Sequence, residues 1–160
     1  MKNTVGLRAV KDGLQNLGVQ EQPAGSNWGK FVQTYLNFVG IQSPAPWCCA
    51  FLVYRVHQAA KEIGLQPIVP KTGYVQNLYL WAKANHLVED TPAPGLAFVE
   101  WSPSLNRYAH TGLIAEVKGN QFRTVEGNSN SNGSRDGECV ASNWRTWGPA
   151  YKAIHLEEQH

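Results

Sequence analysis

Two cysteines stand side by side in APWCCAFL, residues 45–52. One of them could be a nucleophile, both could be metal ligands, or both could be buried thiols. A thiol attacks a carbonyl only as thiolate. It needs a base beside it and a third group to orient that base. The chain offers His57, His86, His110, His155 and His160 as bases, and the polar run VEGNSN, residues 125–130, as a source of the third group.

Helix phase separates the cysteines. At about 100° per residue, Leu52, Val53, Val56, Ala60 and Ile63 fall within about 60° of Cys49. Cys49 is thus central in an apolar stripe. Arg55, Gln58 and Glu62 mark the wet face, and Cys48 lies on the shoulder between the two. Phe51 falls outside the stripe, so another element is expected to cover the first turn. Pro46 keeps Trp47 extended, which starts the helix near residue 48. There the free N–H groups and the helix dipole stabilise a thiolate. Cys48 is the candidate nucleophile and Cys49 a core residue; two buried thiols is the alternative.

Among the histidines, His57 is nine residues along the same helix and points away from Cys48. His86 sits in a loop, His160 is terminal, and His155 alternates with Ile154 and Leu156, so it is expected to face out. His110 begins a strand, AHTGLI, at an expected sheet edge that can overlook a helix start. A surface histidine at a hairpin end is the alternative. Pairing across the Lys118–Asn120 turn puts Glu126 roughly opposite residues 112–114, with Asn128 nearer His110. A carboxylate in an otherwise apolar strand needs a partner, and an imidazole N–H suits it. Asn128 is a second orienter, a donor to an oxyanion, or simply a turn residue.

Those residues need positioning elements. Apolar periodicity predicts helices over about 4–17, from an Asn27 cap to Val39, over about 48–63 and over about 74–85, with Gly18, Gly40 and Gly64 as stops. Strands are expected at 96–101, 110–117, 121–127, 139–144 and 151–156. Four helices followed by about five short strands make an α+β domain, helices packed on an antiparallel sheet. One domain spanning 1–160 is expected, without repeats or linkers.

Composition excludes several classes. The net charge is +2 with no Lys/Arg cluster, which argues against nucleic acid. No apolar run reaches membrane-span length, and MKNTVGLRAVKDG lacks the apolar core of a signal peptide. Three cysteines without framework spacing suit a reduced compartment where the protein is made. Zinc on Cys48, Cys49, His57, His110 or Cys139 is disfavoured, because adjacent cysteines are awkward tetrahedral ligands. NSNSNGSRDGE, residues 128–138, is faintly like a calcium loop. Three of its ligands would be neutral amides and its closing Glu falls one place early. A Gly/Asn-rich loop rimming the cleft is the plainer reading. Asn132-Gly133-Ser134 fits a glycosylation sequon without any sign of a secretory route. No metal or cofactor is expected. Trp28, Trp47 and Trp101 are candidates to line a sugar or peptide groove, with core filling as the alternative for each; Trp144 and Trp147 stand in the same balance.

PWCCAFLVYR, AHTGLIAEV and VEGNSNSNG, in this order, resemble the CHAP domain, within the NlpC/P60-like papain-fold hydrolases. The family's usual form is Pro-Trp-Cys-Ala-Ala-Phe, then Gly-His-Val-Gly, then Glu-Gly-Asn. LGVQEQPAGSNWGKFVQTYLNFVGI is similar to the family's helical lead-in, and TPAPGLAFVEW to the strand before its histidine. The similarity covers about residues 14–150. The resemblance implies Cys48 as nucleophile, His110 as base, Glu126 as orienter and Asn128 as a further polar residue of the site. Cys49 stands where the family usually has Ala, and Ala109 replaces the Gly before the histidine, a minor change if φ there is negative. It further implies cleavage of an amide bond in peptidoglycan, as an N-acetylmuramoyl-L-alanine amidase or a stem-peptide endopeptidase. The contrasting reading is a non-catalytic wall-binding or protein-interaction module on the same fold. An injected antibacterial effector, with a cognate immunity protein plugging the cleft, and a phage lysin are both expected settings. In either, the protein is made in the cytoplasm and acts on the wall in the periplasm of a target or host cell.

Overall fold

The computed structural model describes residues 3–129 and 138–159. Residues 130–137 of the loop considered for calcium, the Asn132 sequon and His160 lie outside the described residues. Four helices come first: α1 (Thr4–Leu14), α2 (Lys30–Phe38), α3 (Cys48–Glu62) and α4 (Val75–Ala84). Then come β1 (Val88–Glu89), β2 (Ala97–Ser102), β3 (Arg107–Lys118), β4 (Gln121–Ser129), β5 (Cys139–Ala141), β6 (Trp144–Thr146) and β7 (Tyr151–Ile154).

The strands form one antiparallel sheet in the order β1-β7-β2-β3-β4-β5, with β6 also pairing with β4. The α+β architecture is the expected one. The described residues hold seven strands rather than about five. β1 is two residues long, too short to show a period, and the segment expected at 139–144 is split into β5 and β6. Asn27 does not cap α2: Gly29 holds that position, and Asn27 has φ +54 and donates its N–H to Glu21 Oε1.

Alternation divides the sheet's side chains. Ala97, Val99, Leu113, Val125 and Ile154 join the helices in the main core. Phe98, Ile114, Phe122 and Ala153 form a smaller cluster apart from it. α3 runs through the middle of the main core, against α1, α2, β3 and β4. Every residue from Cys48 to Val53 is buried. That resolves the odd phase of Phe51: β4 covers it from the side the apolar stripe leaves open. No helix among the described residues is long and apolar enough to cross a membrane.

Candidate active site

Cys48 is the first residue of α3, with Trp47 at the cap position. No side chain caps this end, so its first N–H groups are not taken up by a cap. The segment entering it is tied down by Glu21. Its Oε1 accepts the Asn27 N–H, and its Oε2 accepts Trp47 Nε1–H at 2.7 Å. Trp47 is fully buried, stacked on Tyr35 and edge-on to Phe51. It therefore has no surface for a substrate. Of the two expectations for this indole, groove or core, the structure has the core, where it anchors the start of α3.

A β-bulge aims His110. Glu100 pairs with His110 but Trp101 pairs with Tyr108, leaving Ala109 as an extra residue in β3. Paired residues share a sheet face. Trp101 and Tyr108 belong to the helix-side core, edge to face at 5.1 Å. His110 packs near Phe98, of the other cluster, at 5.9 Å. Two residues apart on a regular strand, Tyr108 and His110 would point the same way; the bulge turns them apart. His110 is thus the fourth residue of an interior strand, not a strand start at a sheet edge. Ala109 is not among the described non-glycine residues with positive φ, so alanine fits where the family pattern has glycine.

Two glycines let β4 come close. A Cβ on Gly127 would sit 2.6 Å from Phe51 Cβ and 3.0 Å from Trp47 Cζ3. A Cβ on Gly112 would sit 2.9 Å from Glu126 Cγ. Gly127 therefore presses β4 onto the start of α3, and Gly112 leaves room for the carboxylate that reaches His110.

His110 Nε2 and Glu126 Oε1 are 2.6 Å apart, and both side chains are buried. The same carboxylate is held by groups that sequence reasoning missed. Arg145 grips it with both arms of its guanidinium, Nε to Oε2 at 2.7 Å and Nη2 to Oε1 at 2.6 Å. The Thr124 hydroxyl donates to Oε2 and the Ser129 hydroxyl to Oε1 at 3.2 Å. Burial alone would raise the Glu126 pKa. Arg145 and His110 outweigh it and hold the carboxyl well below its usual range, so it is an ionised acceptor. The Nε2 proton must then lie on His110. Arg145, half-buried, is kept protonated against its own burial by Glu126. It lies over the Phe98 ring and near Glu100 at 3.8 Å.

His110 Nδ1 is buried without a hydrogen-bond partner. With Nε2 committed, Nδ1 is the nitrogen left for Cys48. Burial would lower the His110 pKa, but Cys48 and Glu126 push it up to about 9. Cys49 has no such company. Burial pushes its thiol well up, the Cys48 charge adds to this, and its Sγ–H donates to Thr72 O at 3.4 Å.

The other histidines stand apart from this site. His57 is buried, its Nε2 2.7 Å from Val69 O, and burial lowers its pKa. His86 is exposed. His155 does not face out: β7 ends at Ile154, and the buried His155 ring places Nε2 3.1 Å from Glu89 Oε1.

A cavity of about 250 Å³ opens beside Cys48, mostly apolar, with Asn128, Arg107, Tyr74, Leu105 and Ala109 in its wall. Asn128 is 2% exposed at φ +53, and its Oδ1 is buried without a partner. Trp28 and Trp101 are half-buried against the core, and neither is in that wall. Among the described residues, Pro46, Tyr74, Leu105 and Arg107 are the exposed ones in that wall, Tyr74 and Leu105 being 63% and 45% accessible. The one sequence hint for Tyr74 was an aromatic residue off the apolar face of α4.

The family model for the CHAP domain matches residues 40–128, more than half of the chain and every residue from Cys48 through Asn128. Among solved structures, the crystal structure of Ly7917 is similar with a TM-score of 0.54 and 16% identity, over 95% of this chain and 62% of that one. The crystal structure of Ly7917 with the hydrolyzing product of MDP gives a TM-score of 0.48 and 16% identity, over 97% and 63%. At such identity the first likeness speaks for the fold alone, and the chain spans less than two thirds of the length of Ly7917. A search of curated proteins finds no match. The chain belongs to the CHAP domain family.

Proposed function

We propose that the protein is a cysteine-dependent peptidoglycan hydrolase that cleaves an amide bond, as an N-acetylmuramoyl-L-alanine amidase or a stem-peptide endopeptidase. The observation that carries this reading is the buried Glu126–His110 hydrogen bond, with His110 Nδ1 left unpaired and the ring's pKa pushed up by Cys48, the first residue of a helix beside an open cavity. Membership of the CHAP family supplies the substrate class.

The chemistry follows from the geometry. Glu126 fixes the ring with its proton on Nε2, so Nδ1 receives the Cys48 proton. Proton transfer leaves a thiolate–imidazolium pair at the start of α3. The thiolate attacks the carbonyl carbon, and the oxyanion forms at the Cys48 N–H and beside the Asn128 amide. His110 then protonates the leaving amine from Nδ1, and the C–N bond breaks. A water, deprotonated by His110, hydrolyses the thioester and restores the thiol. Trp28 and Trp101 would contact only substrate lying beyond the cavity wall.

Digestion of purified peptidoglycan with mass identification of the fragments tests this reading. A freed stem from the lactyl group means amidase, and a cut within the stem or crossbridge means endopeptidase. Bound but intact sacculi would favour the non-catalytic wall-binding module instead. Injection into a rival cell and release by a phage pore both suit such an activity. A neighbouring gene for a small secreted inhibitor argues for the first, with that inhibitor as immunity partner, and a pore gene for the second.

A further inference from the structure

Among the described residues, the wall of the Cys48 cavity is apolar apart from Cys48 itself, the Asn128 amide, the Tyr74 hydroxyl and one guanidinium. Ile41, Ala45, Pro46 and Val75 leave room for a small aliphatic group. Among the described residues, Arg107 is the only charged one in that wall. Among the described residues it forms no ion pair; its polar contact is Nη1–H to Tyr108 O at 3.4 Å, and it is exposed.

The bulge sets its direction. Arg107 pairs with Ser102 and His110 with Glu100, whereas Tyr108 pairs with Trp101 on the other face. Arg107 therefore shares the His110 face. The two are about two paired positions apart, roughly 7 Å along the strand. An extended peptide advances about 3.3 Å per residue, and an arginine side chain reaches further than that. Arg107 can thus meet a group one residue from an amide bond held at Cys48. Guanidinium favours a carboxylate there, which it can take with two parallel N–H donors. At the buried end, Asn128 Oδ1 awaits a donor, and a peptide N–H is one.

We infer that Arg107 determines specificity: the site takes an acidic peptide, with a small aliphatic residue in the cavity and a free carboxylate about one residue from the scissile amide. The carboxamide form of the same peptide is disfavoured. This rests on the hydrolase reading for the word scissile, but not for the binding.

The test is protection of Cys48 from iodoacetamide by N-acetyl-L-alanyl-D-glutamate γ-methylamide, whose α-carboxylate is its only charge, compared with the same dipeptide carrying an α-carboxamide. The native protein should be half-protected by the acid at about fivefold lower concentration than by the amide. Arg107→Gln should erase that difference while keeping the native thermal-unfolding midpoint, which shows that the protein is folded. Arg107→Lys should keep part of it. Equal protection by acid and amide, protection by neither, or full preference in Arg107→Gln overturns the inference. Digestion of walls with free and amidated stems separates the two claims. If both are cut equally, the hydrolase stands and the selectivity falls. If neither is cut while the acid still protects, the carboxylate site stands and the hydrolase falls.

Discussion

Cys48 and Cys49 differ by one step around a helix, and that step gives them different neighbours. Cys49 faces the core, where burial keeps its thiol neutral. Cys48, buried too, pushes up the His110 pKa. The one-step difference was legible, because about 100° per residue needs no tertiary knowledge. Trp47 was not: an aromatic beside a nucleophile suits groove or core equally, and the deciding contact comes from Glu21, 26 residues upstream. The imidazole also sets a pH window. Its pKa is raised from the ordinary 6.5 to about 9. The folded state therefore gains from its protonation fully below about 6.5 and loses that gain as pH rises through about 9. Wall hydrolysis by way of the ion pair should fall over that alkaline range, and thermal unfolding should shift down with it. A flat profile to pH 10 would mean that His110 is not paired with a charged Cys48.

Elements bring these side chains together through close approach and one irregularity. The β3–β4 hairpin was legible from its Lys118–Asn120 turn, and Leu113 pairs with Val125, after a register shift between Ile114 and Glu116. The bulge at Ala109 was not, since nothing in AHTGLI marks an unpaired residue. Gly127 is where β4 meets the first turn of α3. Gly127→Ala should cost about 1–3 kcal/mol of stability, because its Cβ meets the Phe51 Cβ and the Trp47 ring rather than a flexible tip. Denaturant unfolding reads the cost. Activity should fall further than stability explains, since Glu126 and Asn128 flank the residue that moves.

Across the whole molecule, Arg145 on β6 joins three other strands: Glu126 on β4, Glu100 on β2 and Tyr151 on β7. Sequence could not show this, because the contact joins strands 19 residues apart across the loop at 130–137. Arg145→Gln leaves the Glu126 carboxylate buried without its cation, a loss of about 3–5 kcal/mol. Glu126 is depressed below 4.5 in the fold, so it stabilises above that pH and ceases to as pH falls through its folded value. Without Arg145 the depression shrinks, and the acid-unfolding midpoint should move to higher pH. An unchanged midpoint would mean that His110 alone holds the carboxylate. The account as a whole comes down to one thiol. Iodoacetamide should modify Cys48 in step with loss of peptidoglycan hydrolysis, read by peptide mapping and fragment mass. Cys49→Ala should hydrolyse as the native protein does and lose that activity on alkylation, and Cys48→Ala should not hydrolyse. Hydrolysis that survives complete modification of Cys48, or equal loss in Cys48→Ala and Cys49→Ala, would contradict it.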